Sequence, residues 1–153
     1  MIKPFTLQPL VHLAQQRNDA ATKKLGQLNQ NHQSAQAKLE ALQQYRRDYQ
    51  TKFEEEAKLG MAPADMKNFQ EFINRLDQAI QQQQSMIEKT KAGVQNGRAE
   101  LMDTTRKMRS FDTLAQRHVE AEKKVEAKQE QRLQDEHSGR LAAYRSIEKD
   151  RDQ

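Results

Sequence analysis

The sequence lacks cysteine and tryptophan, is poor in glycine and proline, and contains no long apolar run. Without cysteine the chain can form no disulfide, hold no metal through thiolates and use no thiol nucleophile, which suits a reducing cytoplasm. No stretch approaches the roughly 20 apolar residues that a membrane-spanning helix needs. With only 5 glycines and 3 prolines in 153 residues, few positions force a helix to stop. We therefore expect a cytoplasmic protein without direct membrane insertion.

Apolar and aromatic residues are also scarce. Hydrophobic residues make up 35% of the chain and aromatic residues 5%, against 31% charged residues and 22 glutamines. Ordinary soluble domains carry roughly 45–50% apolar residues, so a compact globule with one large core is not expected. Such polarity often indicates disorder, but here the apolar residues recur with helical spacing. The composition indicates long, exposed helices in a single elongated domain.

The net charge of +4 is spread along the chain rather than gathered into one basic surface. Residues 1–115 hold 17 Lys and Arg against 13 Asp and Glu, and residues 116–153 hold 9 against 9. Basic and acidic residues are interleaved throughout, which is typical of solvated helix faces. We therefore expect no nucleic-acid partner; a weak phosphate-binding surface is the alternative.

Apolar residues recur along the chain with the 3,4 spacing of a coiled coil. With Val11 at position a, seven heptads run to Phe53 without interruption. A second series begins at Met66, and its a positions stay apolar as far as Ala115. The predicted core residues are Leu7, Val11, Ala14, Asn18, Ala21, Leu25, Leu28, His32, Ala35, Leu39, Leu42, Arg46, Tyr49, Phe53 and Glu56 in the first series, and Met66, Phe69, Ile73, Leu76, Ile80, Gln83, Ile87, Thr90, Val94, Gly97, Leu101, Thr104, Met108, Phe111 and Ala115 in the second.

A helix breaker separates the two series. Gly60 favours the left-handed end of a helix, and a proline follows three residues later. Two helices joined by so short a turn fold back antiparallel, with the a residues of one layered against the d residues of the other. Each layer then pairs residues whose numbers add to 122. In this register Asn18 meets Thr104. His32 likewise meets Thr90, and such matched polar layers fix the register of a coiled coil.

These observations predict an all-α fold, a long two-helix antiparallel coiled-coil hairpin with an overhanging C-terminal helical tail. Helix one covers about 6–59, the turn 60–64 and helix two about 65–137. The first arm would measure about 75 Å, at 1.5 Å for each of roughly 50 residues. A weakly ordered tail of about 138–153 follows, because Ser138 and Gly139 weaken the helix at that point.

No constellation of residues points to catalysis. Gly93 and Gly97 lie within a helical pattern and lack the Lys-Ser/Thr that completes a phosphate-binding loop. The four histidines include no pair at the i,i+4 spacing of a shared metal site. A two-helix rod also offers no concave, dry pocket in which reacting groups could converge. We expect no enzymatic activity, no cofactor and no bound metal.

One edge of the predicted hairpin becomes apolar near the turn. The e positions of both helices are polar almost throughout, whereas the g positions near the turn include Tyr45 and Phe72. Exposed aromatic residues on a polar surface are common anchors of protein interfaces. We predict a partner site centred on these two residues; the alternative is that they simply cover the core. The apolar g residues are Tyr45, Leu59, Phe72, Ala79 and Met86.

Several stretches are more specific than the heptads. Two tyrosines frame the run Tyr45-Arg-Arg-Asp-Tyr49, the turn follows at Gly60, and the run Asn68-Phe-Gln-Glu-Phe-Ile73 comes next. Further matches are Leu7, Leu10, Leu13-Ala14, Asp19-Ala20-Ala21, Leu25-Gly26, Leu76 and Ala79-Ile80. Over about residues 7–85 the chain resembles the FliJ family of flagellar export proteins, cytoplasmic components of flagellar type III secretion.

The resemblance implies an antiparallel coiled coil similar to the central stalk of rotary ATPases. It implies binding to the hexameric flagellar export ATPase, whose central hole receives the free helix ends, and to the cytoplasmic domain of the export-gate protein FlhA. It further implies escort of export chaperones by a monomer that is cytoplasmic and peripherally associated with the inner-membrane export apparatus. The gate-binding surface of the family maps onto Leu42, Tyr45, Tyr49, Phe72, Leu76 and Ala79.

A self-associating structural coiled coil is the alternative function. In that case two extended chains pair with each other instead of each chain folding back on itself. The single register that closes every layer favours the hairpin. Sedimentation would separate a monomer of 17.8 kDa from its dimer.

Overall fold

The computed structural model describes residues 3–153, and within that range all regular structure is helical. Helix α1 spans Gln8–Leu59 and contains 52 residues, and helix α2 spans Pro63–Arg151 and contains 89. The helices pack against each other through the predicted core positions. The predicted all-α fold with two long helices is therefore confirmed.

The turn between the helices is short because its residues suit both helix ends. Gly60 has a φ of 98°, in the left-handed region that a residue with a Cβ avoids, and its N–H donates to the carbonyl of Ala57 at 3.2 Å. Pro63 begins α2, where its missing N–H costs no hydrogen bond. Asp65 lies in the first turn of α2, where a negative charge is stabilised by the helix dipole.

Helix α2 continues beyond the position at which the sequence analysis ended it. It passes through Ser138 and Gly139 and ends at Arg151 rather than near residue 137. The flanking residues explain this difference, because they are mostly strong helix formers and one glycine costs only about 1 kcal/mol relative to alanine. Most of the tail expected at 138–153 is therefore helical.

Packing divides the chain into two compact units. The turn unit is Arg17–Thr104, and the terminal unit joins the described residues up to Gln16 with Thr105–Gln153. The sequence analysis expected a single domain, and that expectation stays a prediction.

The core of the turn unit follows the predicted heptads. Among residues 3–153 no side chain is fully buried, which is what a structure only two helices thick allows. Every buried residue of the turn unit nevertheless occupies a predicted a or d position. They are Ala21, Ala35, Ile73, Leu76, Gln83, Val94 and Gly97.

Two polar layers confirm the predicted register of the turn unit. The hydroxyl Oγ1 of Thr104 lies 3.1 Å from Oδ1 of Asn18. The ring nitrogen Nδ1 of His32 lies 2.8 Å from Oγ1 of Thr90. Hydrogen bonds between opposed core positions penalise any slip of one helix along the other, because a slip leaves them unpaired.

A third polar core residue makes a contact that the heptads did not predict. Gln83 is 9% exposed, and its Nε2 donates to the backbone carbonyl of Ala35 at 2.9 Å. The register places Leu39 opposite Gln83, and the amide reaches past it to the backbone carbonyl one helical turn away on α1. The buried amide is therefore satisfied without a polar side chain facing it.

Two leucines of α1 pack directly over Gly97. A Cβ placed on Gly97 would lie 2.8 Å from Cδ1 of Leu28 and 3.3 Å from Cδ1 of Leu25. Both distances are shorter than ordinary van der Waals contact. A larger residue at this position would therefore require the two leucine side chains to shift.

The terminal unit has a small core. Val11 and Ala14 are buried there, as the heptads predicted, and the ring of Phe5 lies 5.3 Å from that of His118. Nε2 of His118 also lies 2.9 Å from the carbonyl oxygen of Lys3. Residues 127–153 are all exposed. Within residues 3–153 we find no helix with the length and apolar character needed to cross a membrane.

Candidate interaction surface

Five aromatic side chains gather in the part of the turn unit nearest the turn. The register places Phe53 and Phe69 in one layer and the other rings in or beside neighbouring layers, so the rings contact each other across the helix pair. Ring centroids lie 4.5 Å apart for Tyr49 and Phe72, 4.9 Å for Tyr49 and Phe69, and 5.5 Å for Phe53 and Phe69. We call this set the aromatic cluster; it consists of Tyr45, Tyr49, Phe53, Phe69 and Phe72.

Tyr45 is the most exposed member of the aromatic cluster. It is 51% exposed, whereas the other four rings are half-buried. Its ring meets the Phe72 ring edge to face, with centroids 6.0 Å apart and an interplanar angle of 80°. Edge-to-face packing is one of the arrangements that aromatic pairs prefer. The g position of Tyr45 therefore presents a ring that packs on Phe72 on one side and meets solvent on the other.

The six residues proposed for partner binding differ in depth. Tyr45, Tyr49 and Phe72 contact one another through their rings. Tyr45 is exposed, whereas the other two rings are half-buried. Leu42 and Ala79 are half-buried beside them. Leu76 is only 7% exposed, so it supports the surface from below rather than offering area to a partner.

An ion pair crosses the helices next to the aromatic cluster. Nε of Arg46 lies 2.5 Å from Oδ1 of Asp77, and its Nη2 lies 3.4 Å from Oδ2. The hydrogen bond to Asp77 and the charge of Asp77 raise the pKa of Arg46 above its ordinary value. Sequence reasoning missed this pair, because it treated Arg46 only as a core position. The residue numbers of the pair add to 123, close to the 122 of the register, and the two charges are opposite. These two facts could have indicated the ion pair from the sequence.

The apolar edge continues on both sides of Tyr45. Leu59 is 89% exposed and Met86 is 47% exposed, and both occupy g positions as the heptads predicted. The opposite edge carries glutamines such as Gln43 and Gln70. One apolar, aromatic edge beside a polar one fits contact with another protein, because aromatic residues anchor interfaces and a polar rim surrounds them.

The described residues offer no evident site for metal chemistry. Across residues 3–153 no three His, Cys, Asp or Glu side chains come together in a group that could hold a metal ion.

Comparison with known proteins gives a consistent result. The sequence model of the family described as "Flagellar FliJ protein" matches residues 3–146. The chain is 26% identical over 142 residues to the "Flagellar FliJ protein" of Salmonella typhi, and 24% identical over 142 residues to that of Escherichia coli strain K12. Each alignment covers 93% of this chain and 97% of the relative.

Proposed function

This chain belongs to the FliJ family of flagellar proteins, which makes it a component of flagellar protein export, and on that premise we propose that it is a non-enzymatic, stalk-like adaptor. In this proposal it binds the hexameric export ATPase and links it to the export gate. It also escorts export chaperones, and it works as a cytoplasmic monomer peripherally associated with the inner-membrane export apparatus.

The aromatic cluster is the observation that supports gate binding. The proposed partner is the cytoplasmic domain of the export-gate protein FlhA. Tyr45 offers a half-exposed ring held by Phe72, and burying such a ring is worth a large share of an interface's free energy. The ring of Tyr49 packs against both of these rings, and Leu76 is nearly buried one helical turn from Phe72. The proposed surface is Leu42, Tyr45, Tyr49, Phe72, Leu76 and Ala79.

The exposed end of α2 supports ATPase binding. Residues 127–153 are exposed throughout, although α2 is helical to Arg151. A polar helix without a packing partner is marginal on its own, so contact with another protein would stabilise it. This end is therefore the region that we propose enters the ATPase ring.

The alternative of a self-associating coiled coil needs the heptad core for pairing between chains. In the turn unit that core is already occupied by pairing between α1 and α2, with polar layers at His32 and Asn18. The hairpin therefore favours the adaptor, and a monomer of 17.8 kDa in sedimentation would support it.

Binding to the gate is tested by measuring the affinity of the full chain for the cytoplasmic domain of FlhA. We expect Tyr45→Ala with Phe72→Ala to weaken binding by about 100-fold, since two aromatic anchors are lost. The matched control is Gln43→Ala with Gln70→Ala on the polar edge, which we expect to bind as the unmodified chain does. Unchanged affinity of the Tyr45→Ala, Phe72→Ala variant would contradict the proposed gate-binding surface.

Binding to the ATPase is tested by steady-state ATP hydrolysis of the export ATPase with and without the chain. We expect the full chain to stimulate hydrolysis and a truncation ending at Ala115 to fail. Tyr45→Ala with Phe72→Ala serves as the control. Because both substitutions lie in the turn unit, we expect this variant to stimulate hydrolysis as fully as the unmodified chain. Absence of stimulation at saturating concentration would overturn the stalk role.

A further inference from the structure

A surface cavity lies at the turn, beyond the outermost rings of the aromatic cluster. Its volume is about 560 Å³, and its walls include the rings of Tyr49 and Phe69, whose centroids are 4.9 Å apart. Leu59, the most exposed large apolar residue of the described chain, stands at its rim. A concave, partly polar site of this size is large enough for one side chain of a partner together with its neighbours.

Two carboxylates complete the lining of this cavity. Glu56 is half-buried and Asp65 is exposed, and both line the same cavity as the rings. Within residues 3–153 neither side chain has a hydrogen-bond or ion-pair partner. The cavity therefore combines aromatic faces with carboxylate oxygens that have unused acceptor capacity.

The charge around the turn is opposite to that of the chain as a whole. Residues 52–67 contain four acidic residues and three lysines, a net charge of −1, whereas the whole chain carries a net charge of +4. The turn is thus slightly negative on a positively charged protein. A partner segment approaching it is favoured if it is cationic.

We propose that the turn cavity binds an arginine side chain presented by a segment of a partner protein. The guanidinium group can stack on an aromatic face and at the same time donate hydrogen bonds to two carboxylates, a combination that a neutral or acidic side chain cannot use. Apolar residues next to that arginine would pack on Leu59. The cavity shares only Tyr49 with the proposed gate-binding surface, so the inference goes beyond that surface.

The experiment uses two peptides that differ only in charge. The ¹⁵N-labelled full chain is titrated with Ac-Leu-Arg-Leu-NH₂ and with the peptide in which neutral citrulline replaces arginine, and amide chemical shifts are followed by NMR. We expect shifts at Gly60, Asp65 and Phe69, and an affinity at least about fivefold higher for the arginine peptide. Equal affinities for the two peptides, or no shifts around the turn, would overturn the proposal.

Paired variants test whether the cavity carboxylates are responsible. We expect Glu56→Gln with Asp65→Asn to abolish the difference between the two peptides. Glu54→Gln with Glu55→Gln makes the same change of charge outside the cavity lining, and we expect it to retain the difference. If both double variants lose the affinity difference equally, general electrostatic attraction explains the binding, and the cavity proposal is overturned. No export protein is present in these titrations, so their outcome is separable from that of the adaptor proposal.

Discussion

The turn unit contains two regions that use the same heptad frame with side chains of opposite size. Near the turn the layers are filled by the aromatic cluster, and Tyr45 remains 51% exposed. Farther from the turn the layers contain Ala21, Gly97 and the polar pairs, and the helices come so close that a Cβ on Gly97 would meet Leu28 at 2.8 Å. Small core residues therefore let the other helix pack onto the backbone, whereas near the turn large rings fill the layers and the g position of Tyr45 leaves its ring half in solvent.

This difference suggests a division of labour along the unit. Small residues and hydrogen-bonded layers fix which residues face each other. Near the turn the rings are too large for two helices to enclose, so they form a surface. Four substitutions test the division, beginning with the largest expected loss of stability.

The largest effect is expected beneath the aromatic surface. Leu76 is 7% exposed, and we expect Leu76→Ala to lower the free energy of unfolding by about 2–3 kcal/mol, because it leaves a cavity under the rings. Leu59 is 89% exposed, so Leu59→Ala should change that free energy by less than about 0.5 kcal/mol. Urea unfolding followed by circular dichroism measures both. Equal losses would show that Leu76 is not part of a core.

The close approach at Gly97 gives the next effect. Gly97→Leu forces a large side chain against Leu25 and Leu28, and we expect it to lower the free energy of unfolding by about 1–3 kcal/mol. Gly26 has no atom within 4 Å of an added Cβ, so Gly26→Leu should instead stabilise the helix by up to about 1 kcal/mol. Thermal unfolding compares the two variants. Similar behaviour would mean that the helices are not tightly packed there.

A polar layer gives a smaller effect. Thr90→Val removes the partner of the half-buried His32 ring, and we expect a loss of about 1 kcal/mol in the free energy of unfolding. Thr113 bonds only to the carbonyl of Arg109 on its own helix, so Thr113→Val is the matched control and should cost less. Combining His32→Leu with Thr90→Val should recover stability. A double variant as unstable as Thr90→Val alone would argue against the pair.

The ion pair beside the aromatic cluster gives the smallest effect. The side chains of Arg46 and Asp77 are 36% and 49% exposed, so water and salt screen their attraction. We expect Asp77→Asn to shift the unfolding midpoint less than the three preceding substitutions and to lose even that shift at high salt. Unfolding at low and high salt measures this. A shift that persists at high salt would contradict surface screening.

Much of the fold follows from the period of the apolar residues. All of the buried residues within 3–153 occupy a or d positions, and the Asn18 and His32 layers form with the predicted partners, because burial in a helix pair repeats every 3.5 residues. The period could not show where α2 ends, since a single Gly139 is a small cost within a helix-forming sequence. Nor could it show that Gln83 bonds to a backbone carbonyl, which depends on local space.

The position of the candidate surface, and part of its depth, were predictable. The g positions predicted that Tyr45 and Phe72 lie together on one edge, and their rings meet at 6.0 Å. Leu76 occupies a core d position and is almost buried, whereas Tyr45 at a g position is half-exposed, so the heptad letters agree with both depths. The letters could not show how the rings stack on one another, because that depends on side-chain rotamers. The role of these residues in partner binding stays a prediction.

The position of the aromatic cluster beside the left-handed glycine turn has a kinetic consequence. Arg46 and Asp77 are 31 residues apart in sequence, His32 and Thr90 are 58 apart, and Asn18 and Thr104 are 86 apart. The entropy lost in closing a loop grows with its length, so contacts near the turn form at the lowest entropic cost. The rings that lie closest to the turn are also the largest apolar groups of the unit. Folding of the turn unit should therefore nucleate at Gly60 and zip outward, with the register-fixing polar layers closing last.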